Sequence, residues 1–180
     1  RYYLLLFVSI SAFKHVFWAW YLLQAPLTLA TTIVLCCINY FFDTVNTFLY
    51  LAAYTTPTDY REGITQTMLI GGILFLLGST IETSSEWQRR TFKASRYNEG
   101  KPFTGGLFRY ARHINYTGFT MYRLSATLLT GGWIAAMGVA TCHMVDFLAR
   151  AIPVLDRYCQ MKYGTQWKNY KAQTRAVLIP

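Results

Sequence analysis

Residues 64–93 read ITQTMLIGGILFLLGSTI, followed without a break by ETSSEWQRRTFK. The first eighteen residues carry no charge. A helix of about 20 mainly apolar residues is what a bilayer crossing needs. Gly71, Gly72 and Gly78 would let a neighbouring helix approach closely. In the next twelve residues, Glu82, Glu86, Arg89, Arg90 and Lys93 recur at helical spacing and share one face. The span is therefore expected to run on out of the membrane as a polar helix. Glu86 and Arg90 are placed to pair at i, i+4. Such a face is either a solvated helix end or a polar wall. As a wall, its carboxylates would orient ligand hydroxyls or amides, and its guanidinium groups would hold phosphate.

Four more apolar stretches surround this one, at residues 2–23, 27–50, 115–130 and 133–148, giving about five spans. Lys14 and His15 interrupt the first. Asp43 and Asn46 lie in the second, where polar groups are expensive and turn toward a bundle interior. Gly131 and Gly132 make the last two a tight hairpin. The expected fold is an all-α, polytopic membrane bundle. Composition agrees: the 180 residues are 53% hydrophobic and 14% charged, with net charge +9. Soluble domains carry about 25% charged residues, and disorder needs low hydrophobicity. A chain that opens at Arg1 and is apolar from Tyr2 is read as incomplete at its start.

Charge sets the expected orientation. From Glu82 to Arg123 there are eight Lys/Arg and three acids, and from Arg150 to Arg175 six and one. The loop at residues 56–63, with Asp59, Arg61 and Glu62, is nearly balanced. The excess of positive charge puts residues 82–113 and the C-terminal tail on the cytosolic side. Both flank the hairpin and can close over one spot. In residues 101–119, KPFTGGLFRYARHINYTGF, Arg109 and Arg112 lie one turn apart. Arg forks suit phosphate oxygens, although lipid headgroups would serve equally. Arg123 lies two turns into a span and needs a partner or a polar cavity.

The tail interleaves Tyr158, Tyr163, Trp167 and Tyr170 with Lys and Arg. In a polytopic chain this pattern suits a membrane interface, and nucleic acid is not an expected partner. Cys36, Cys37, Cys142 and Cys159 have no Cys-x-x-Cys spacing, and His15, His113 and His143 form no ligand pair, so no metal is expected. Dinucleotide, P-loop and nucleophile-elbow motifs are absent. Any nucleotide would have to sit in the helical bundle itself.

The run G-x-x-I-E-x-x-x-E-W-Q from Gly78 resembles the C-terminal domain of the steroid 5α-reductase superfamily. So do G-G-L-F-R-Y-A-R-H-I-N-Y-T-G from Gly105 and Y-G-x-x-W-x-x-Y-x-x-x-T-x-x-x-I-P from Tyr163. The resemblance covers residues 64–180, leaving 1–63 as N-terminal membrane helices. It implies a helical protein of the endoplasmic reticulum membrane. It also implies an enzyme that reduces a carbon–carbon double bond of a steroid or other lipid with NADPH. Carried over by motif, the cofactor contacts are Glu82, Glu86, Arg90, Lys93, Lys101, Asn115, Arg150 and Tyr158. Arg109 and Arg112 join them from the charge pattern. The departures point elsewhere. R-H-P-N-Y reads Arg112-His113-Ile114-Asn115-Tyr116, and the usual Gly-Glu reads Gly118-Phe119. Gly-Phe is closer to the related isoprenylcysteine carboxyl methyltransferases, which use S-adenosylmethionine and carry an acid near the position of Asp156. A non-enzymatic membrane scaffold is the third possibility. Tyr40, Asp43, Tyr50 and Tyr54 are the proton donors open to a reductase, though each also suits ordinary bundle packing.

Overall fold

A computed structural model describes residues 2–23, 28–54 and 60–180, except for the side chains of 2–4, 53–54 and 60–65. Residues 56–59, the first half of the balanced loop with Asp59, and the side chains of Tyr54, Arg61 and Glu62 lie outside the described set. Every described element is helical. Helix α1 (Tyr2–Phe17) continues as a π-helical turn (Trp18–Leu22). Helices α2 (Leu29–Tyr54) and α3 (Tyr60–Ala94) follow. A loop with two 3-10 turns, Arg96–Asn98 and Gly106–Arg109, leads to α4 (Ile114–Asp146). A second π-helical turn (Phe147–Ala151) joins α4 to α5 (Ile152–Tyr163), and α6 (Thr165–Gln173) ends the helical part.

Among the described residues, four helical segments are long and apolar enough to cross a membrane: Leu5–Leu22, Leu29–Ala52, Gln66–Ala94 and Ile114–Tyr163. The last takes in both the fourth and fifth expected spans. It is not straight. Gly132 has φ 71° and ψ −170°, a conformation that glycine tolerates and residues with a Cβ rarely adopt. Beyond it the helix folds back. The rings of Tyr116 and Phe147 stack at 4.4 Å, and those of Phe119 and His143 meet at 5.3 Å. In a straight helix Tyr116 and Phe147 would be about 46 Å apart. The hairpin expected at Gly131-Gly132 is thus present.

Helices α3 and α4 form the centre, and they touch backbone to backbone. A Cβ added to Gly78 would lie 2.5 Å from the Tyr122 nitrogen and 2.7 Å from the Gly118 carbonyl oxygen. One added to Gly118 would lie 2.6 Å from the Glu82 nitrogen. Lipid gives helices no hydrophobic reason to associate, so close approach through small residues carries this contact. Beside it Phe75 and Tyr122 are buried, and Phe7 of α1 packs on Phe75 at 4.0 Å between ring centres. Helix α2 joins through Asn46, whose Oδ1 accepts hydrogen bonds from Thr127 (2.9 Å) and Thr130 (3.3 Å). The outward faces of α1 and α2 are apolar, with Phe13, Leu29 and Phe48 all exposed, as a lipid-facing surface requires.

Substituting valine for Gly118 should abolish the folded, monodisperse protein in detergent. Overpacking alone costs about 1–3 kcal/mol, and here the clash is with backbone that cannot turn aside. Gly138→Ala, where nothing lies within 4 Å of the added carbon, should be neutral or stabilising by up to about 1 kcal/mol. Thermal unfolding followed by size-exclusion chromatography checks both.

Candidate functional site

The polar end of α3 is built as the sequence implies, because the helix runs unbroken from the apolar span to Ala94. Its carboxylates are not solvated. Glu86 is 5% exposed. Its Oε1 accepts a 2.8 Å hydrogen bond from Asn115 Nδ2 at the start of α4, and its Oε2 pairs with Arg89. Glu82 pairs with Lys14 of α1. A small crevice lies between these two carboxylates, walled by Lys14, Trp18, Leu22, Glu82, Thr83 and Glu86. Trp18 and Leu22 bound the first π-helical turn. Such turns are rare and recur at functional sites. On the same turn, the Tyr21 ring lies 4.2 Å beneath the Arg90 guanidinium.

The loop before α4 and the C-terminal tail close on each other. Backbone N–H groups of Arg112 and His113 donate to the carbonyls of Ala176 (3.1 Å) and Val177 (2.8 Å). Arg112 Nη1 donates to the carbonyls of Thr174 (2.7 Å) and Arg175 (3.2 Å). The Tyr170 hydroxyl donates to the Phe108 carbonyl at 2.6 Å. Asp156 of α5 accepts from Trp167 Nε1 (2.7 Å) and Lys171 (2.9 Å), fixing α6 against α5. Lys93 Nζ, from the end of α3, donates to the Tyr163 hydroxyl at 2.9 Å and to the Lys101 carbonyl. Residues 86–93, 113–116 and the α5 helix thus surround one polar region. The charge of Arg89 is felt at both His113 and Cys159.

The structure sets Glu82 and Glu86 at the cleft and bonds Asn115 to Glu86, while Lys93, two turns further along α3, is held against Tyr163. The other six candidates are engaged separately. Arg90 rests on Tyr21, on the α1 side. Lys101 lies over the Tyr97 ring at 3.9 Å and Arg109 over Tyr110 at 5.4 Å. Arg112 holds the tail. Arg150, 70% exposed, forms a bidentate pair with Asp146 at 2.6 and 2.7 Å. Tyr158 accepts from Lys162 at 2.9 Å. Glu86 pairs with Arg89 at i, i+3 and not with Arg90, because α1 supplies Arg90 with an aromatic surface. Lys14 and Tyr163 also reach this region without having been singled out as site residues by the sequence, and Arg89, already on the polar face, is the residue that holds Glu86. For Lys14 the signal was there: a charge inside an apolar span requires a partner. Of the possible proton donors, Tyr40 is 75% exposed, Tyr50 is half-buried and Asp43 reaches toward Arg123.

The residues fit one end of NADPH. The Glu86–Asn115 pair offers buried acceptor and amide groups suited to a carboxamide or ribose hydroxyls. The phosphate end is less prepared, since Arg89, Arg112 and Arg150 already hold carboxylates or carbonyls. As packed, the crevice has room for about one water molecule, so seating a nicotinamide ring there requires its walls to move apart.

His113 is 3% exposed, and burial, with the Arg112 charge beside it, lowers its pKa to about 4. Burial also pushes the Tyr170 hydroxyl well above its ordinary range. A histidine buried neutral contributes stability that is complete above its unfolded pKa of about 6.5. That stability should fall as pH drops below 6.5 and level off below about 4. Melting of the detergent-solubilised protein across this range checks it, and His113→Gln should flatten the profile.

A family described as "Protein of unknown function (DUF1295)" matches residues 14–174. "Probable O-methyltransferase ustE" of Ustilaginoidea virens is 40% identical over 168 residues, which is 89% of this chain and 59% of that protein. "7-dehydrocholesterol reductase" of Danio rerio is 31% identical over 83 residues, 46% of this chain and 17% of that protein. The chain therefore spans less than two thirds of either relative. No solved structure matches. Both relatives are named as enzymes, and one carries a sterol name. With four apolar helices, a matched sterol reductase and a family match over nearly its whole length, the chain belongs to the DUF1295 family, which is steroid 5α-reductase-like.

Proposed function

We propose that the protein is a membrane oxidoreductase that uses NADPH to reduce a carbon–carbon double bond of a steroid or other lipid. The observation that carries this reading is the buried Glu86 carboxylate, hydrogen-bonded to Asn115 where α3, α4 and the tail meet. When bound, NADPH supplies a hydride to one alkene carbon, and the other carbon takes a proton. Glu86 and Asn115 would hold the carboxamide and ribose end. Arg89, Lys93 and Arg150 would turn from their present partners to the phosphates, at the cost of those pairs. Exposed pairs are worth only about 0–1 kcal/mol, so Arg150 could exchange Asp146 cheaply. The lipid would enter from the bilayer. The endoplasmic reticulum membrane, with residues 82–113 and the tail cytosolic, is the setting that the charge pattern and family favour.

A second reading, methyl transfer from S-adenosylmethionine, is favoured by two observations. Where the reductase pattern has a carboxylate, Phe119 packs on Tyr122, His143 and Phe147. The relative matching most of this chain is named a probable O-methyltransferase. Asp156 adds nothing to this reading, because Trp167 and Lys171 account for it.

Thermal stability should be followed while NADPH, NADP, NADH and S-adenosylmethionine are titrated separately. A ligand at a hundred times its Kd stabilises by about 2.7 kcal/mol. NADPH is expected to raise the melting temperature by several degrees, and Asn115→Ala or Glu86→Gln to remove most of the shift. A shift with S-adenosylmethionine alone would replace reduction by methyl transfer. No shift with any of them, in folded protein, would favour the scaffold reading.

A further inference from the structure

Arg123 lies in the third turn of α4, inside an apolar span, and is 5% exposed. A buried guanidinium in a membrane has five N–H donors to satisfy. The protein satisfies them incompletely. Nη2 donates to Asn39 Oδ1, and Nη1 reaches Asp43 Oδ1 only at 3.5 Å. Nε is buried without any partner. Aromatic rings surround it: those of Phe42, Phe119 and Tyr122 lie 5.5 to 5.7 Å from the guanidinium carbon, with Lys14, His15, Glu82 and His143 within range of its charge. An unfilled, charged donor among flat apolar surfaces suits an acceptor oxygen carried on an apolar ring system.

Two helices cover this part of α4. Helix α1 covers Tyr122, with Lys14 Nζ lying 3.8 Å from the ring centre. Helix α2 covers Arg123 through Asn39, Phe42 and Asp43. Among the described residues, α1 and α2 do not pack substantially on each other. The Asp43 carboxylate, which reaches toward Arg123 from α2, is 70% exposed, so this side of the guanidinium borders the surroundings.

We propose that Arg123 is a substrate-binding residue, holding the carbonyl or carboxylate oxygen of a ring-bearing apolar molecule that enters between α1 and α2. Asp43 is the competitor such an oxygen would have to displace from the guanidinium. This rests on the protein being a membrane enzyme with a bilayer-dissolved substrate, but it does not depend on which cosubstrate is used.

The test uses the whole chain in detergent and three probes: an alkyl naphthoic acid, the matching methyl ketone, and the alkyl naphthalene with neither group. Binding is read by quenching of protein fluorescence. The carboxylate should bind about tenfold tighter than the hydrocarbon, as expected for one charge-assisted hydrogen bond set, with the ketone between them. Arg123→Gln should erase this preference while leaving the thermal shift from the cosubstrate intact. Asp43→Asn removes an exposed competitor and should tighten carboxylate binding about threefold. A merely structural arginine would show neither effect. Equal binding of all three probes to the natural protein, or a preference that survives Arg123→Gln, would overturn the proposal. Should Arg123→Gln not fold, Asp43→Asn decides, and unchanged affinity overturns the proposal. A carboxylate preference without any cosubstrate shift would support this site and count only against the cosubstrate reading.

Discussion

The contact of Gly78 with Gly118 sets the geometry of everything else. Two helix backbones meet there with no side chain between them, so α3 and α4 are held in one antiparallel register. On one side of the crossing, that register brings Phe75 to Tyr122 and Gly71 to Leu129. On the other it sets Glu82 against Gly118 and Glu86 against Asn115. A slip of even one helical turn, about 5.4 Å, would separate that last pair. Packing by small residues thus does two jobs. It supplies association in a solvent that gives no hydrophobic drive, and it aligns a buried carboxylate with its amide.

Much of this was legible in the residues. An uncharged run that passes directly into a charged one can only be a span that leaves the membrane, and α3 is that helix. Gly131-Gly132 between two apolar runs marks a reversal, and Gly132 adopts the backbone that makes it. The resemblance pointed to Glu86 and Asn115, which the structure joins. Pairing was less legible. Spacing allows Glu86 to reach either Arg89 or Arg90. The choice was made by Tyr21, some seventy residues upstream, and no local rule contains it. The two π-helical turns were likewise invisible, since nothing in WAWYL or FLARA distinguishes an extra residue per turn from ordinary helix.

The basic residues show where counting charge misleads. A surplus of Lys and Arg on two segments reads as a phosphate cradle. In the folded chain, several of those groups perform internal tasks. Arg112 binds carbonyls of the tail, Lys101 and Arg109 lie on tyrosines, and Lys93 joins α3 to α5. Arginine suits such tasks because one planar group can satisfy several oxygens at once. Positive charge at this end of the molecule is therefore partly architecture, and ligand recognition has to be assigned atom by atom.

The tail that straps the loop before α4 has a consequence for how the protein is made. Arg112 and His113 are bonded to Thr174, Arg175, Ala176 and Val177, more than sixty residues later in synthesis. Translation proceeds at about 5–20 residues per second, with earlier segments free to fold first. For several seconds, then, the helices can be inserted while the loop over the cleft has no closing partner. Membrane integration of the early helices and completion of the site are therefore separate events, the second waiting until the tail has emerged.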